Sequence, residues 1–229
     1  MSDAPGLFVS GTDTGVGKTV VSTGLVRAFR ARGYDVAGMK PVETGVGPEG
    51  PLDALALQRA AGAGDPLEDV CPQRFALPAA PSVAARDEDR ELDLEAIRAA
   101  FARLCAKHAA VIVEGAGGLL VPLAPRCDTC DLVRALGLPV VLVARSALGT
   151  INHCLLSIEA LERRGLALAG VVISHATGEL SRADRLNLDA LREHLGERLI
   201  GEVPPLRSGE EASSQHFRLE PLLAQLRLG

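Results

Sequence analysis

The residues best suited to chemistry lie in one glycine-rich segment, Gly11-Thr-Asp-Thr-Gly-Val-Gly-Lys18-Thr19. The segment follows the apolar run 7–9 and precedes a helix-like stretch that begins at Val20. A glycine-rich turn between a strand and a helix directs backbone N–H groups inward, and the helix start adds partial positive charge. The Lys18 ammonium can reach the β- and γ-phosphates, and the Thr19 hydroxyl can bind Mg²⁺. The segment therefore predicts a binding site for a nucleoside triphosphate.

The segment departs in one place from the usual phosphate-loop pattern, G-x-x-x-x-G-K-[ST]. Gly11 lies six positions before Gly17, one more than the pattern requires, so Thr12 takes the place of the first glycine. The second half, from Gly15 to Thr19, is intact and provides most of the phosphate contacts. The alternative is an ordinary glycine-rich turn, but the strand-like and helix-like neighbours favour a phosphate loop.

Lys40 is the second candidate for catalysis. Only three of the 24 basic residues are lysines, and the other 21 are arginines. A lysine ammonium is a compact point charge, whereas an arginine guanidinium is a planar fork. Lys40 follows the apolar segment 36–39, and ligands of open α/β sheets bind at the carboxyl ends of the strands. We interpret Lys40 as a second active-site cation; the alternative is a surface lysine.

Two carboxylates are placed where they could hold magnesium. Mg²⁺ prefers oxygen ligands and usually takes one or two carboxylates together with phosphates and water. Glu114 ends the apolar run 109–113, so we expect it to project from a buried strand into the ligand crevice, unless it is only a strand-end acid. Asp53 lies at the start of a helix-like segment, where it is either a magnesium ligand or a residue that only caps the helix or favours its dipole.

The elements that must position these residues alternate along the chain. Apolar runs predict strands at 7–10, 35–39, 110–114, 139–144, 168–173 and 199–203. Longer amphipathic stretches predict helices at about 18–32, 52–62, 92–107, 150–164, 182–195 and 219–227. This alternation predicts an α/β fold of three layers, similar to P-loop NTPases, with a mostly parallel central sheet and helices on both faces. Residues 1–229 are predicted to form a single domain, with 64–90 as an irregular connection or partial lid.

Composition bounds the functional class. The net charge of −5 argues against nucleic acid or an anionic membrane as the main partner. No apolar run reaches the length of a membrane span, and residues 1–5 lack the features of a signal peptide. We therefore expect a cytoplasmic protein.

The cysteines and histidines offer weaker signals. An odd number of cysteines in a reducing compartment predicts free thiols. Cys127 and Cys130 have C-x-x-C spacing, but no second pair completes a zinc site, so we expect two thiols in a loop. His108 and His153 have no metal partner at ligand spacing, and we expect core or surface roles for them.

Six segments together resemble dethiobiotin synthetases. They occur in the same order as in that family and span residues 7 to about 206: Gly11-Thr-Asp-Thr-Gly-Val-Gly-Lys-Thr19, Gly38-Met-Lys-Pro-Val42, Asp53-Ala-Leu-Ala-Leu-Gln58, Val113-Glu-Gly-Ala-Gly-Gly118, Leu148-Gly-Thr-Ile-Asn-His153 and Leu199-Ile-Gly-Glu-Val-Pro204. The resemblance implies a Mg²⁺- and ATP-dependent ligase of biotin synthesis. Its substrates would be 7,8-diaminononanoate and CO₂, or bicarbonate as the source of CO₂. The product would be the cyclic urea of dethiobiotin, formed through a carbamate and a carbamic–phosphoric anhydride.

The resemblance also assigns roles to residues. It implies catalysis by Lys18 and Lys40. It implies magnesium binding by Thr19, Asp53 and Glu114. It implies nucleotide binding by Thr14, Gly15, Val16, Gly17, Lys18, Thr19, Glu114, Gly115, Ala116, Gly117, Ser174, His175, Pro204, Pro205 and Leu206. It implies substrate binding by Thr14, Lys40, Thr44, Gly149, Thr150 and Asn152. In the family the last three positions come from the partner subunit, so a homodimer is implied.

One departure from the family concerns the nucleobase. Family members often carry Asn-Asp after the strand at 168–173, and the Asn reads adenine, whereas this chain has Ser174 and His175. A serine offers fewer hydrogen-bonding groups than an amide, which leaves the base preference open.

Two rival functions share the phosphate loop. A partition-type switch ATPase is one, but it usually carries a lysine where this chain has Asp13, and it does not explain Lys40. An amidotransferase-type synthetase is the other, but this chain has no room for a glutaminase domain with its Cys-His pair.

Overall fold

The fold is seen in a computed structural model that describes residues 6–175 and 180–226. Strands β1 to β10 comprise Gly6–Gly11, Val36–Met39, Val42–Thr44, Gln73–Phe75, Ala110–Gly118, Pro122–Ala124, Cys127–Asp128, Val140–Arg145, Leu168–Ser174 and Leu199–Val203. Helices α1 to α9 comprise Lys18–Ala31, Leu52–Ala60, Leu67–Val70, Pro81–Asp87, Leu94–Cys105, Thr129–Leu136, Thr150–Arg163, Arg182–Leu195 and Glu220–Leu226. Residues 1–5 and 227, which carried sequence predictions, lie outside the described residues.

Six parallel strands form the central sheet in the order β10-β9-β8-β1-β5-β2. These are the six strands that the apolar runs predict. Strand β1 is central and leads directly into the glycine-rich loop, so the phosphate loop, the end of β2 and the end of β5 meet at one edge.

Helices cover both faces of the sheet, as predicted. Alternate residues of β1 point to opposite faces: Leu7 and Val9 pack with Leu25 and Phe29 of α1, whereas Phe8 packs in a cluster with side chains of α5 and α6. A third cluster lies under α7 and α8 on the side of Leu142. Burial of both faces explains why the strands read as unbroken apolar runs. Among the described residues, no helix combines the length and apolar character that a membrane crossing requires.

The prediction of an irregular connection at 64–90 is wrong. This stretch contains α3, β4 and α4, and β4 pairs in parallel with β3. The Arg90 guanidinium lies 4.6 Å from the centre of the Phe75 ring, which joins the end of the segment to β4. The elements are too short for a periodic signal, so the sequence pattern did not reveal them.

The prediction that Cys127 and Cys130 lie in a loop is also wrong. Cys127 begins β7, and Cys130 lies in the first turn of α6, a helix that the sequence analysis missed. The thiols are free, as predicted. Burial, followed by the charge of Asp128, raises the pKa of Cys130 to about 11, so this thiol is a poor nucleophile at neutral pH.

Candidate active site

The phosphate loop joins β1 to α1 and leaves the start of α1 open. Gly17 precedes α1 with φ of 91°, a left-handed conformation that favours glycine. The first turn of α1 contains no acidic residue, and no side chain caps it. Its N–H groups and the positive end of its dipole are therefore available to a phosphate.

Gly11 is required although it lies one position outside the usual pattern. A Cβ atom at this position would lie 2.7 Å from the Asp13 carbonyl oxygen and 2.8 Å from a methyl group of Val16. The longer spacing thus reflects a tight turn directly after β1. Across this turn the Lys18 ammonium donates a hydrogen bond of 3.1 Å to the Asp13 carbonyl oxygen.

Lys40 connects three segments of the site. Its Nζ donates to Glu114 Oε1 at 2.6 Å and to Asp53 Oδ2 at 2.8 Å, and the side chain is 5% exposed. The alternative of a surface lysine is therefore wrong. Burial opposes the charge on Lys40, but Glu114 and Asp53 outweigh it and raise its pKa. Lys40 is an ammonium ion throughout the range in which proteins function.

Glu114 lies within β5 rather than at its end, which corrects the prediction. Val9 of β1 pairs with Glu114, but Gly11 pairs with Gly118, so β5 carries extra residues just after Glu114. Bulges of this kind change the direction of side chains and are common beside active sites. The Glu114 side chain is fully buried.

Asp53 does not cap α2, so the capping alternative is wrong, although Asp53 is an acid in the first turn, where the helix dipole favours it. It is the second residue of α2, and its carboxylate binds Lys40. The cap comes instead from Glu43, which accepts hydrogen bonds from the backbone N–H groups of Asp53 at 3.0 Å and Ala54 at 2.9 Å. Burial opposes the charge of Asp53, and the Lys40 ammonium outweighs it, which lowers the pKa of Asp53.

Glu43 is a site residue that the sequence analysis missed. It is 7% exposed, is the middle residue of the short strand β3 and fixes the start of α2, which carries Asp53. Burial raises its pKa, although the two N–H donors oppose the shift. The sequence does show an acid four positions after Met39, the last residue of β2. Its capping contact, however, is with a helix start ten residues away, and such a contact leaves no local sequence pattern.

The oxygen atoms present fit a magnesium ion. Thr19 Oγ1 donates to Glu114 Oε1 at 2.9 Å, while Glu114 Oε2 is buried and has no hydrogen-bond partner in the part of the chain described. An unpartnered buried carboxylate oxygen is costly and suits a cation. A magnesium site that includes phosphates and water usually takes only a few ligands from the protein, and two carboxylates and a hydroxyl match that number. Within residues 6–175 and 180–226 there is no larger cluster of His, Cys, Asp and Glu to form an all-protein metal site.

One cavity of about 430 Å³ brings most of the predicted residues together. Its lining includes Thr14, Gly15, Gly17, Lys18, Thr19, Lys40, Thr44, Asp53, Glu114, Ala116 and Gly117. Lys18 and Lys40 therefore face the same space. Burial lowers the pKa of Lys18, and the neighbouring charge of Lys40 lowers it further. Two residues predicted to bind nucleotide do not line this cavity: Val16 of the loop is buried, and Gly115 of β5 has its carbonyl oxygen 3.5 Å from Lys40 Nζ.

A second cavity, of about 1040 Å³, adjoins the first, because Val20 of α1 lines both. It contains all the residues predicted to lie around the base: Ser174, His175, Pro204, Pro205 and Leu206. They lie at or just after the ends of β9 and β10, so the residues predicted to bind the base and those predicted to bind the phosphates occupy the same edge of the sheet; we call these two groups the base end and the phosphate end.

The predicted turn at 149–152 lies away from both cavities. Gly149 precedes α7 with φ of 88°, and Asn152 is exposed. Thr150 is 2% exposed, and its hydroxyl oxygen has no hydrogen-bond partner among the residues described. Within one chain, the structure does not bring this turn to Lys40.

A parallel sheet whose central strand enters a phosphate loop, with a buried acid on the neighbouring strand, defines a P-loop NTPase. Residues 5–213 match the family model described as AAA domain. Two solved structures share the fold: the MinC:MinD cell division protein complex of Aquifex aeolicus (TM-score 0.54, 13% identity, 90% of this chain and 83% of the other) and a ParA family ATPase from Chlorobium tepidum (TM-score 0.52, 12% identity, 96% and 90%). At such identities the likeness concerns the fold alone.

Similarity in sequence identifies the particular family. An ATP-dependent dethiobiotin synthetase BioD of Anaeromyxobacter dehalogenans is 56% identical over 174 residues, which cover 76% of this chain and 78% of the relative. The same enzyme of Aromatoleum aromaticum is 44% identical over 216 residues, which cover 93% and 96%. The chain belongs to the ATP-dependent dethiobiotin synthetase family, a family of ligases in biotin biosynthesis, and this confirms the resemblance.

Proposed function

We propose that this protein closes the ureido ring of dethiobiotin from 7,8-diaminononanoate and CO₂, and that it converts ATP to ADP and phosphate. The observation that carries the proposal is the cavity in which Lys18 and Lys40 face the same space together with Glu114 and Asp53. Two ammonium groups beside one cavity suit a reaction in which a phosphoryl group carries developing negative charge.

The proposed chemistry has three steps. One amine of the substrate takes up CO₂ and loses a proton to give a carbamate. A carbamate oxygen then attacks the γ-phosphorus of ATP, the bond to the β-phosphate oxygen breaks, and ADP leaves from a carbamic–phosphoric anhydride. Finally the second amine attacks the carbonyl carbon, the C–O bond to phosphate breaks, and the ring closes as phosphate and a proton leave.

Four side chains of the first cavity have parts in this sequence. Lys18 binds the β- and γ-phosphates together with the open N–H groups of α1. Lys40 contacts the carbamate and the phosphoryl group during transfer, because its ammonium is fixed by Glu114 and Asp53. Thr14 and Thr44 contact the diamine, and holding both amines in place favours ring closure entropically.

Mg²⁺ would be held by Thr19, Asp53 and Glu114. The unpartnered oxygen Oε2 of Glu114 supports this assignment. When bound, the ion neutralises charge on the triphosphate. Ser174, His175, Pro204, Pro205 and Leu206 would enclose the base in the second cavity.

We further propose that the enzyme is a homodimer of single-domain subunits. Gly149, Thr150 and Asn152 would bind the distant carboxylate of the substrate in the partner's site. Their distance from the cavities of their own chain, and the exposed Leu148 beside them (74%), support this arrangement.

The test of the reaction is a product assay. Purified protein with 7,8-diaminononanoate, bicarbonate, Mg²⁺ and ATP should give dethiobiotin and ADP in equal amounts. Absence of dethiobiotin with every nucleoside triphosphate, or hydrolysis that only a protein or DNA partner accelerates, would refute the proposal.

Subunit mixing tests the shared site. In a Lys40→Gln variant and an Asn152→Ala variant, each homodimer has two damaged sites. A mixed dimer has one intact site, so mixing equal amounts should restore about a quarter of the wild-type rate. Activity that stays at the mean of the two variants would show that each chain builds its own site.

A further inference from the structure

The cavity of about 1040 Å³ contains one polar cluster with fixed geometry. His175 Nε2 lies 2.5 Å from Glu202 Oε1. Arg192 of α8 donates to the same carboxylate through Nε at 3.0 Å and through a terminal nitrogen at 2.6 Å. His175 and Glu202 line the cavity, and the other lining residues are mainly apolar.

The Glu202 carboxylate fixes the tautomer of His175. Hydrogen bonds from His175, then from Arg192, lower the pKa of Glu202 to about 2, although burial opposes the shift. A carboxylate only accepts hydrogen bonds, so the ring nitrogen that contacts it must carry the proton. In the neutral imidazole the proton is therefore on Nε2, and Nδ1 is an acceptor.

Nδ1 is the atom left for a ligand. Within residues 6–175 and 180–226 it forms no hydrogen bond, and it is not among the polar atoms sealed from solvent. The neighbouring Ser174 hydroxyl can donate or accept, so it does not distinguish between donors and acceptors. Arg185 also lines the cavity, and one of its terminal nitrogens already donates to the Leu180 carbonyl oxygen at 2.5 Å.

We propose that His175, oriented by Glu202 and Arg192, reads the nucleobase as an acceptor and so selects bases whose amino group is at the purine 6-position or the pyrimidine 4-position. The inference rests on the proposed function, in which this cavity encloses the base. Adenine and cytosine present an amino donor where guanine, hypoxanthine and uracil present a carbonyl oxygen. His175 would be the specificity residue, and Glu202 and Arg192 would be positioning residues.

Two pairs of nucleotides test the rule. ATP and ITP differ only at the 6-position and the adjoining N1, where amino and acceptor become carbonyl and donor. CTP and UTP differ in the same sense on a pyrimidine. With the full-length enzyme at pH 8, we expect KM for ITP to exceed that for ATP three- to tenfold, which is the range of one hydrogen bond. The KM for UTP should likewise exceed the KM for CTP.

Variants separate this role from simple packing. His175→Phe keeps a flat ring without the acceptor, and Glu202→Gln removes the carboxylate that fixes the tautomer. In both variants the KM for ITP should come within twofold of the KM for ATP. Leu206→Ala is the matched control in the same cavity, because it should raise KM for both nucleotides by the same factor. Circular dichroism checks that each variant is folded.

Three results would overturn the inference. They are equal KM values for ATP and ITP in the wild type, an unchanged ratio in His175→Phe, and a preference for ITP, which would assign the base to Arg185. Calorimetry with non-hydrolysable ATP and ITP analogues measures the same ratio without turnover. The base rule is thus tested even if no nucleotide supports dethiobiotin formation, a result that would refute the proposed function instead.

Discussion

The two ends of the cleft differ in how their charges are arranged. At the phosphate end, Lys40 contacts Glu114 and Asp53, and Lys18 faces the same cavity of about 430 Å³. At the base end, a cavity more than twice as large has mainly apolar walls and one charged cluster around Glu202. The phosphate end concentrates buried charge, so the loss of one charge there leaves another unbalanced. The base end depends on shape and one hydrogen bond, so substitutions there should have smaller effects, and these effects should differ from one nucleobase to another.

The largest effect should come from Lys40→Gln. This change removes the ammonium that contacts both carboxylates, and it leaves the Glu114 carboxylate buried without that partner. Loss of one preorganised charge typically lowers kcat by about 10²–10³. Dethiobiotin formation under saturating ATP measures the loss, and circular dichroism checks the fold.

Lys107→Gln is the matched control for Lys40→Gln. Lys107 is 48% exposed and pairs with Asp69 at 3.4 Å, remote from both cavities. Its loss should change kcat less than twofold, as expected of an exposed ion pair. Near wild-type turnover in Lys40→Gln would contradict the role assigned to this residue.

Lys18→Ala should affect affinity more than Lys40→Gln does. Lys18 crosses the loop to the Asp13 carbonyl oxygen and lines the cavity in which we propose that the phosphates bind. A charge-assisted hydrogen bond contributes about 1.5–3 kcal/mol, so the Kd for ATP should rise about 10- to 100-fold. Isothermal calorimetry with ATP and Mg²⁺ measures this change, and an unaltered Kd would rule out the contact.

The two ends also differ in what the sequence could predict. The six strands and the convergence of Lys18, Lys40 and Glu114 follow from apolar runs and from the rule that ligands bind at the carboxyl edge of a parallel sheet. The sequence did not predict Glu43 and Glu202 as site residues, because their hydrogen-bond partners lie ten or more residues away and form no motif with them. Glu202, for example, meets Arg192 only because β10 and α8 pack together. Short elements such as α3 and β4 carry no periodic signal either.

Glu43→Gln tests whether this overlooked acid belongs to the phosphate end. Both Glu43 oxygens accept backbone N–H groups at the start of α2, so the amide loses one of the two acceptors and Asp53 loses its fixed position. Changes to such supporting residues typically cost about tenfold in metal affinity or activity. We expect the Mg²⁺ concentration for half-maximal rate to rise about tenfold.

Glu88→Gln is the control for Glu43→Gln. Glu88 also accepts a backbone N–H, that of Ala76 at 2.7 Å, but it lies outside both cavities. Its loss should leave the Mg²⁺ dependence unaltered. An equal response in the two variants would mean that Glu43 has only a structural role.

The smallest effect should be the loss of folding stability caused by Glu202→Gln at the base end. The pKa of Glu202 is lowered to about 2, first by the hydrogen bond from His175, so the native state favours its carboxylate. A group with a lowered native pKa stabilises the fold above its unfolded pKa, and this contribution is lost as the pH falls through the native value. At pH 7 the variant should be less stable by about 1–2 kcal/mol, since solvent screens a partly exposed group. Urea denaturation from pH 7 to pH 3 should show that the difference in unfolding free energy between wild type and variant shrinks below about pH 4.5.

Glu95→Gln is the control, because Glu95 forms an exposed ion pair with Arg98, and it should show no comparable loss of stability at any pH. A Glu202→Gln deficit that stays constant across the range would mean that packing, rather than charge, joins β10 to α8, and the contrast between the two ends would then rest on shape alone.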